Sequence, residues 1–246
     1  MKNIKIKFNN LTLYFLLIAL LSGYIKNALV ILLIVLFHEL GHIVVAKMLG
    51  YKIIEVEIFP FGGITKIDKM LNTKIYKDLL ISVFGVLFQL LIYLACLMGI
   101  IDSPLVYEYN LSIMLFNLLP IIPLDGSKII FELLNYRLSY KKSLIIYSVL
   151  SCLFIVLYFL FNYHYELNNY MIIILFVCKT VEVFNKRTII HHKFIIERFL
   201  YNPEFSKVKN TNETVGKYRK EYRYYCHLDN RILTEKEYLK KIYQKD

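Results

Sequence analysis

Residues 28–49 read ALVILLIVLFHELGHIVVAKML, and this stretch decides what kind of fold the chain adopts. It is long and apolar enough to cross a bilayer as a helix, which takes about 20 such residues. It also carries His38, Glu39 and His42, and ionisable side chains inside an apolar span are costly to bury in lipid. The stretch therefore predicts a membrane helix whose ionisable side chains serve a function. The alternative is a structural polar cluster between helices.

The spacing of His38 and His42 places both imidazoles on one face of a helix, one turn apart, so that both can reach one zinc ion. Glu39 lies beside them, where its carboxylate can act on a water molecule activated by the metal. In such a site zinc polarises the scissile carbonyl, while the carboxylate takes a proton from water and passes it to the leaving amine. The pattern indicates metal-dependent peptide hydrolysis.

The rest of the chain also suits a bilayer, with 57% hydrophobic residues and a mean hydropathy of +0.50. We predict an all-α polytopic membrane protein with about six transmembrane helices, a short membrane-associated β-hairpin and a small cytoplasmic tail. The predicted spans are 11–25, 28–49, 78–101, 106–134, 144–161 and 170–184. The hairpin is predicted at 53–67, where β-branched residues flank a Pro and Gly-Gly break, and the alternative is an irregular interfacial loop.

The formal net charge of +11 could suggest nucleic acid, but the positions of the basic residues favour a membrane protein instead. Lys and Arg cluster before span one, between spans two and three, between spans four and five, and after span six. The other connecting segments hold almost none. Both termini are therefore predicted to be cytoplasmic, with the lipid bilayer as a partner and no nucleic acid.

Span four is interrupted by Pro120 and Pro123, which remove backbone donors and push the preceding residues away from helical geometry. Broken backbone at membrane depth is tolerated only inside protein or beside water, so this segment is predicted to line a cavity. Asp125 follows the break directly and is the best third ligand, because a catalytic zinc usually takes three protein ligands. Its alternative role is to cap the next helical segment, which begins near Ser127.

Three motifs resemble the site-2 protease family of intramembrane zinc metalloproteases. They are HELGH at 38–42, FPFGG at 59–63 and N-x-x-P-x-x-P-L-D-G at 117–126. The resemblance covers about residues 1–185 and is strongest to the stage IV sporulation protein FB group. It implies an integral protein of a bacterial cell membrane that cleaves a membrane-associated protein, such as a sporulation sigma-factor precursor, together with membrane regulatory proteins as partners.

Carried over by motif position, the resemblance implies one zinc ion per chain, held by His38, His42 and Asp125. It implies Glu39 as the catalytic acid/base and Asn117 as a substrate-binding polar group near the scissile peptide. For Asn117 the alternative role is a hydrogen bond between helices.

The chain departs from the family pattern in two places. Val86 and Gln89 stand where many relatives have Pro and Asn, which puts the contacts of span three in doubt. The sporulation branch often ends in a nucleotide-binding CBS domain, and the tail looks like a shortened form of one. We predict an intramembrane metalloprotease domain at 1–185 and a basic cytoplasmic tail at 186–246, which holds 15 of the 30 Lys and Arg residues.

Two other functions fit part of the pattern. A metal-ion transporter also places His and Asp side chains within its spans, where they coordinate permeating ions. A catalytically inactive membrane scaffold would keep the fold and bind a partner. A transporter would not need Glu39 within HExxH, and the apparently complete set of ligands and base weakens the case for a scaffold.

Overall fold

The computed structural model describes residues 5–59, 62–161, 167–201, 203, 205, 207–211, 215–228 and 231–243. The chain divides into two compact units. The first comprises Met1–Lys69 and Leu79–Leu119, and the second comprises Met70–Asp78 and Pro120–Asp246.

The first unit consists of helices with one small sheet. Its elements are β1 (Lys5–Phe8), α1 (Asn10–Leu21), α2 (Ile25–Met48), β2 (Lys52–Phe59), β3 (Gly62–Asp68), α3 (Ile75–Leu97, with residues up to Asp78 in the second unit) and α4 (Pro104–Asn117). The sheet has the order β1-β2-β3, with β1 parallel to β2 and β2 antiparallel to β3.

Helix α1 is fastened to this sheet at its start. Asn9 caps the helix by accepting from the backbone N–H of Leu11, and its amide donates to Glu57 on β2 at 2.9 Å. The fully buried Thr12 donates to the carbonyl of Ile58 at 2.7 Å. The β-structure thus lies against the helices and is not a detached loop.

Strands β2 and β3 occupy the segment of the predicted hairpin. Val56 pairs with Thr65 and Ile58 with Gly63 in an antiparallel register. Pro60 and Phe61, at the predicted turn, lie outside the described residues. The hairpin and its association with the membrane therefore stay predictions.

Helices α2 and α3 pack together through a small apolar core. Val45 and Ala46 on α2 and Ile81 on α3 are buried there, with Phe84 against them. This contact brings α3 against the face of α2 that carries the ionisable residues.

Among the described residues, three helices are long and apolar enough to cross a membrane, namely α2, α3 and Tyr140–Phe161. Helix α1 is apolar but shorter, so the predicted number of six spans stays a prediction. The predicted interruption of span four is confirmed, because α4 ends at Asn117 and the next helix begins only at Asp125.

The second unit contains the remaining helices and a second sheet. Its elements are α5 (Asp125–Arg137), α6 (Tyr140–Phe161), α7 (Leu167–Tyr201), β4 (Lys207–Thr211), a 3-10 turn (Val215–Lys217), β5 (Tyr222–Leu228), β6 (Arg231–Thr234) and α8 (Glu235–Tyr243). The sheet has the order β4-β5-β6, with β4 parallel to β5 and β5 antiparallel to β6.

The aromatic core of the second unit joins the tail to two long helices. Tyr140 on α6 stacks on Phe194 of α7, with ring centroids 4.1 Å apart, and Tyr218 stacks on Tyr224 of β5 at 4.3 Å. All four are buried, together with Leu239 of α8. Helix α7 passes without interruption through the predicted boundary between residues 185 and 186, and the two predicted domains stay a prediction.

The predicted all-α class needs one correction. Besides the β2–β3 segment, the described residues contain β1 and the sheet β4-β5-β6. Strand β5 shows the physical reason, because Tyr224 and Cys226 are buried with a period of two and pack into the aromatic core. The chain is mainly helical with two small sheets.

Candidate metal centre

Helix α2 carries three buried ionisable side chains. His38, Glu39 and His42 are 5%, 3% and 6% exposed. The four-residue spacing brings the Nε2 atoms of His38 and His42 to 3.1 Å from each other, with the ring planes nearly perpendicular at 86°. Both imidazoles therefore point at one location.

The other nitrogen of each ring is held by a hydrogen-bond acceptor. Nδ1 of His38 lies 2.9 Å from Oε1 of Gln89, and Nδ1 of His42 lies 2.6 Å from the carbonyl oxygen of Ile81. Amide and carbonyl oxygens only accept, so both Nδ1 atoms donate, and in a neutral imidazole the lone pair then sits on Nε2.

This arrangement fits a metal ion. Two Nε2 lone pairs that face each other at 3.1 Å repel unless a positive charge lies between them. Metal-binding histidines almost always donate their second ring N–H to an oxygen acceptor, as His38 and His42 do here.

Asp125 is the first residue of α5 and is 3% exposed. The N-cap residue of α5 is Leu124, so Asp125 lies inside the first turn. Asp125 is therefore not the helix cap, which was the alternative role considered for it. Its Oδ1 accepts from the ammonium of Lys128 at 2.7 Å.

His38 and His42 each offer an imidazole nitrogen, and Asp125 is the third ligand that the sequence predicts. Two imidazole nitrogens and one carboxylate oxygen leave a fourth position open in a tetrahedral metal site. The chemistry of these donors matches a catalytic zinc, as the sequence predicts.

The carboxylate of Glu39 is oriented by strand β3. Thr65 donates its hydroxyl to Oε2 of Glu39 at 2.6 Å. A Cβ at Gly63 would lie 2.4 Å from Cγ of Glu39, so the strand can approach this closely only because residue 63 is glycine. Gly63, the last residue of the FPFGG motif, thus allows the close contact between Glu39 and β3.

Helix α3 approaches the imidazoles in a similar way. A Cβ at Gly85 would lie 2.5 Å from Nε2 of His42 and 2.7 Å from Cε1 of His38. Gln89 is one turn further along the same face and is fully buried. Gly85 therefore leaves space for both imidazole rings, and Gln89 accepts a hydrogen bond from the ring of His38.

Sequence reasoning missed most of these supporting residues. Gln89 appears there only as a departure from a family pattern, although a polar side chain in an apolar span was a usable signal. Thr65 and Lys128 carry no such signal, because their partners are known only from the fold. Asn117 is the half-buried last residue of α4, and its contact with substrate stays a prediction.

The comparisons with known proteins agree with this chemistry. Residues 26–104 match the family described as Peptidase family M50. The chain is 30% identical to stage IV sporulation protein FB of Bacillus subtilis over 193 residues, which cover 74% of this chain and 67% of that protein.

Two archaeal matches extend the likeness. The chain is 35% identical over 119 residues to a zinc metalloprotease of Methanocaldococcus jannaschii, a match that spans 44% of this chain and 34% of that protein. The solved structure of a site-2 protease from the same organism matches with a TM-score of 0.53 and 26% identity, and the match covers 76% of this chain and 91% of that one.

Proposed function

Because the chain belongs to the site-2 protease family, peptidase family M50, we propose that it cleaves a membrane-associated protein with one zinc ion held by His38, His42 and Asp125. It is an integral membrane protein of a metalloprotease family. The observation that carries the proposal is the pair of Nε2 atoms 3.1 Å apart, each on a ring whose Nδ1 donates to an oxygen.

Zinc, when bound, supplies Lewis-acid chemistry: it polarises the scissile carbonyl and lowers the pKa of a water molecule. Glu39 accepts the proton from the attacking water and donates it to the leaving amine. The hydroxyl of Thr65 keeps the Glu39 carboxylate in one orientation through this exchange. Gln89 and the carbonyl of Ile81 keep both imidazoles in the tautomer that binds metal through Nε2.

Strand β3 is an edge of its sheet, and it carries Thr65 beside Glu39. An unfolded stretch of substrate can add to such an edge through backbone hydrogen bonds. We therefore assign β3 the role of holding the scissile peptide next to Glu39, with Asn117 as a further polar contact for the substrate.

The substrate we propose is a protein anchored in, or lying on, the cytoplasmic leaflet of a bacterial membrane, such as a sporulation sigma-factor precursor. The similarity to stage IV sporulation protein FB supports this class. With both termini in the cytoplasm, the 15 Lys and Arg residues of the tail can attract anionic headgroups, an acidic partner or a membrane regulatory protein.

A pair of variants tests the chemistry. Glu39→Gln should keep the fold and the zinc content but reduce cleavage about 100-fold or more, because the amide keeps the shape and loses the base. Asp125→Asn should weaken zinc retention as well as cleavage, because a carboxylate ligand is replaced by a neutral amide. Zinc content of the purified protein and cleavage of a co-expressed substrate are measured.

Unchanged cleavage by Glu39→Gln would exclude the proposed role of Glu39. Unchanged zinc affinity of Asp125→Asn would remove Asp125 from the ligand set. The membrane-associated substrate is tested separately, by deleting its membrane-binding segment at matched expression. Equal Glu39-dependent cleavage of both forms would contradict the proposed substrate class.

A further inference from the structure

Three charged side chains meet in the interior of the second unit, and we call them the Lys220 clamp. The ammonium of Lys220 lies 2.8 Å from Oδ2 of Asp78 and 2.9 Å from each carboxylate oxygen of Glu132. The three side chains are 2%, 5% and 8% exposed. The clamp joins the tail to the first turn of α3 and to the middle of α5.

The charges of the clamp depend on one another. Burial by itself lowers the pKa of Lys220, but the carboxylates of Glu132 and Asp78 more than offset this and raise the pKa above its ordinary value. Lys220 is therefore a fixed ammonium. Without it, two buried carboxylates would face each other with no cation between them.

The clamp acts on the helix that begins with the proposed third ligand. Glu132 follows Asp125 by seven residues, or two helical turns, so that both carboxylates lie on the same face of α5. They are separated by roughly 10 Å along the axis. Both residues are buried. A rotation or a shift of α5 that moved Asp125 would also break the contacts of Glu132 with Lys220.

The neighbouring residue of the tail offers a natural comparison. Glu221 accepts from the backbone N–H of Ile75 at 2.8 Å, and its other oxygen lies 3.5 Å from the ammonium of Lys207. Glu221 thus ties the tail to the start of α3, as Lys220 does, but no contact with α5 is seen for it among the residues the structure describes.

We propose that Lys220 is a positioning residue of the metal centre: through Glu132 it sets the rotation and depth of α5, and so the direction of the Asp125 carboxylate. This inference rests on the proposed function, because Asp125 must be a metal ligand for the clamp to matter. By this proposal, the tail at 186–246 contributes to the geometry of the metal centre through Lys220.

The test uses the full chain, purified, with Zn²⁺ affinity measured by competition with a chelator and the visible spectrum of bound Co²⁺ as a report on ligand geometry. Lys220→Met should weaken Zn²⁺ binding about 10-fold, within the range for residues that support metal ligands, and should change the Co²⁺ spectrum. Glu221→Gln is the matched control and should leave both unchanged.

A second variant guards against misfolding of Lys220→Met. The triple substitution Asp78→Asn, Glu132→Gln and Lys220→Met removes all three charges, so that no buried charge is left uncompensated, yet it also removes the ionic tie to α5. It should keep the fold and still show weak Zn²⁺ binding and the altered Co²⁺ spectrum. Lys220→Arg, which keeps the charge, should restore part of the Zn²⁺ affinity.

Wild-type Zn²⁺ affinity and an unchanged Co²⁺ spectrum in the triple variant would overturn the proposal. An equal loss of affinity in Glu221→Gln would also overturn it, since the effect would then belong to docking of the tail in general. A wild-type protein that binds no Zn²⁺ would overturn the proposed function itself, and the role of the clamp with it.

Discussion

Single residues decide how close the backbone comes to the reactive side chains. Gly63 brings β3 against the carboxylate of Glu39, and Gly85 brings α3 against both imidazoles. A Cβ at either position would come about 1 Å closer to these groups than ordinary contact distance allows. The reactive residues and the glycines are therefore parts of one construction, although they lie on three different elements.

Gly63→Ala tests this at the catalytic base. The new Cβ would meet Cγ of Glu39 at 2.4 Å, so either the carboxylate or the strand must move. Because a misplacement of about 1 Å can cost on the order of 100-fold in rate, we expect kcat/KM to fall at least 10-fold while the zinc content is unchanged.

The matched control is Gly62→Ala, since a Cβ at Gly62 meets no atom within 4 Å and its backbone is unstrained. Cleavage assays of both variants on one substrate make the comparison. Equal activity of the Gly63 variant and the wild type would show that Glu39 tolerates the displacement.

Among the elements, α7 runs from an apolar segment into the tail, and His191 lies on the part of this helix that belongs to the tail. His191 is 7% exposed and its ring bonds to the backbone of Val215. Its Nε2 is buried without a hydrogen-bond partner among the described residues. Burial, together with the charges of Lys141 and His192, lowers the pKa of His191, and the bond to Val215 offsets this only in part. The folded state therefore favours the neutral ring.

The lowered pKa of His191 determines how stability depends on pH. Below the ordinary pKa of 6.5, His191 binds a proton in the unfolded chain more readily than in the folded chain. The contribution of His191 to stability is full above pH 6.5 and falls as the pH drops toward the lowered pKa. We expect the tail to lose local stability on acidification to about pH 5, measured by hydrogen exchange of residues 215–228.

His191→Gln should flatten this dependence, because the amide does not titrate. His192→Gln, at an exposed neighbouring position, should keep most of it. A dependence that persisted in His191→Gln would assign the effect to another group.

For the whole molecule, the distribution of Lys and Arg predicts its orientation in the membrane. Reporters fused after Lys142 and at Asp246 should appear cytoplasmic, whereas one placed near Asn168 should appear outside. The measurement is the activity of a reporter that works on only one side of the membrane. An opposite result at any of the three sites would require the spans to be redrawn.

Local patterns in the sequence were enough to predict the candidate site and the interruption of span four. Helical periodicity alone brings His38 and His42 to one face, and two prolines in four residues open the helix before Asp125. The apolar composition and the position of charges were enough to predict a membrane protein. Each of these properties is carried by residues close together in the chain.

Only the tertiary structure decided what holds the site in place. Thr65 meets Glu39 across 26 residues, Gln89 meets His38 across 51, and Lys220 meets Glu132 across 88. The second sheet likewise depends on burial of alternate residues of β5 against α6 and α7. The basic, Tyr-rich sequence of this segment does not by itself predict that burial. Such partners are determined by packing between segments that are distant in the chain. The periodicity of either segment alone does not identify the residues that it will contact.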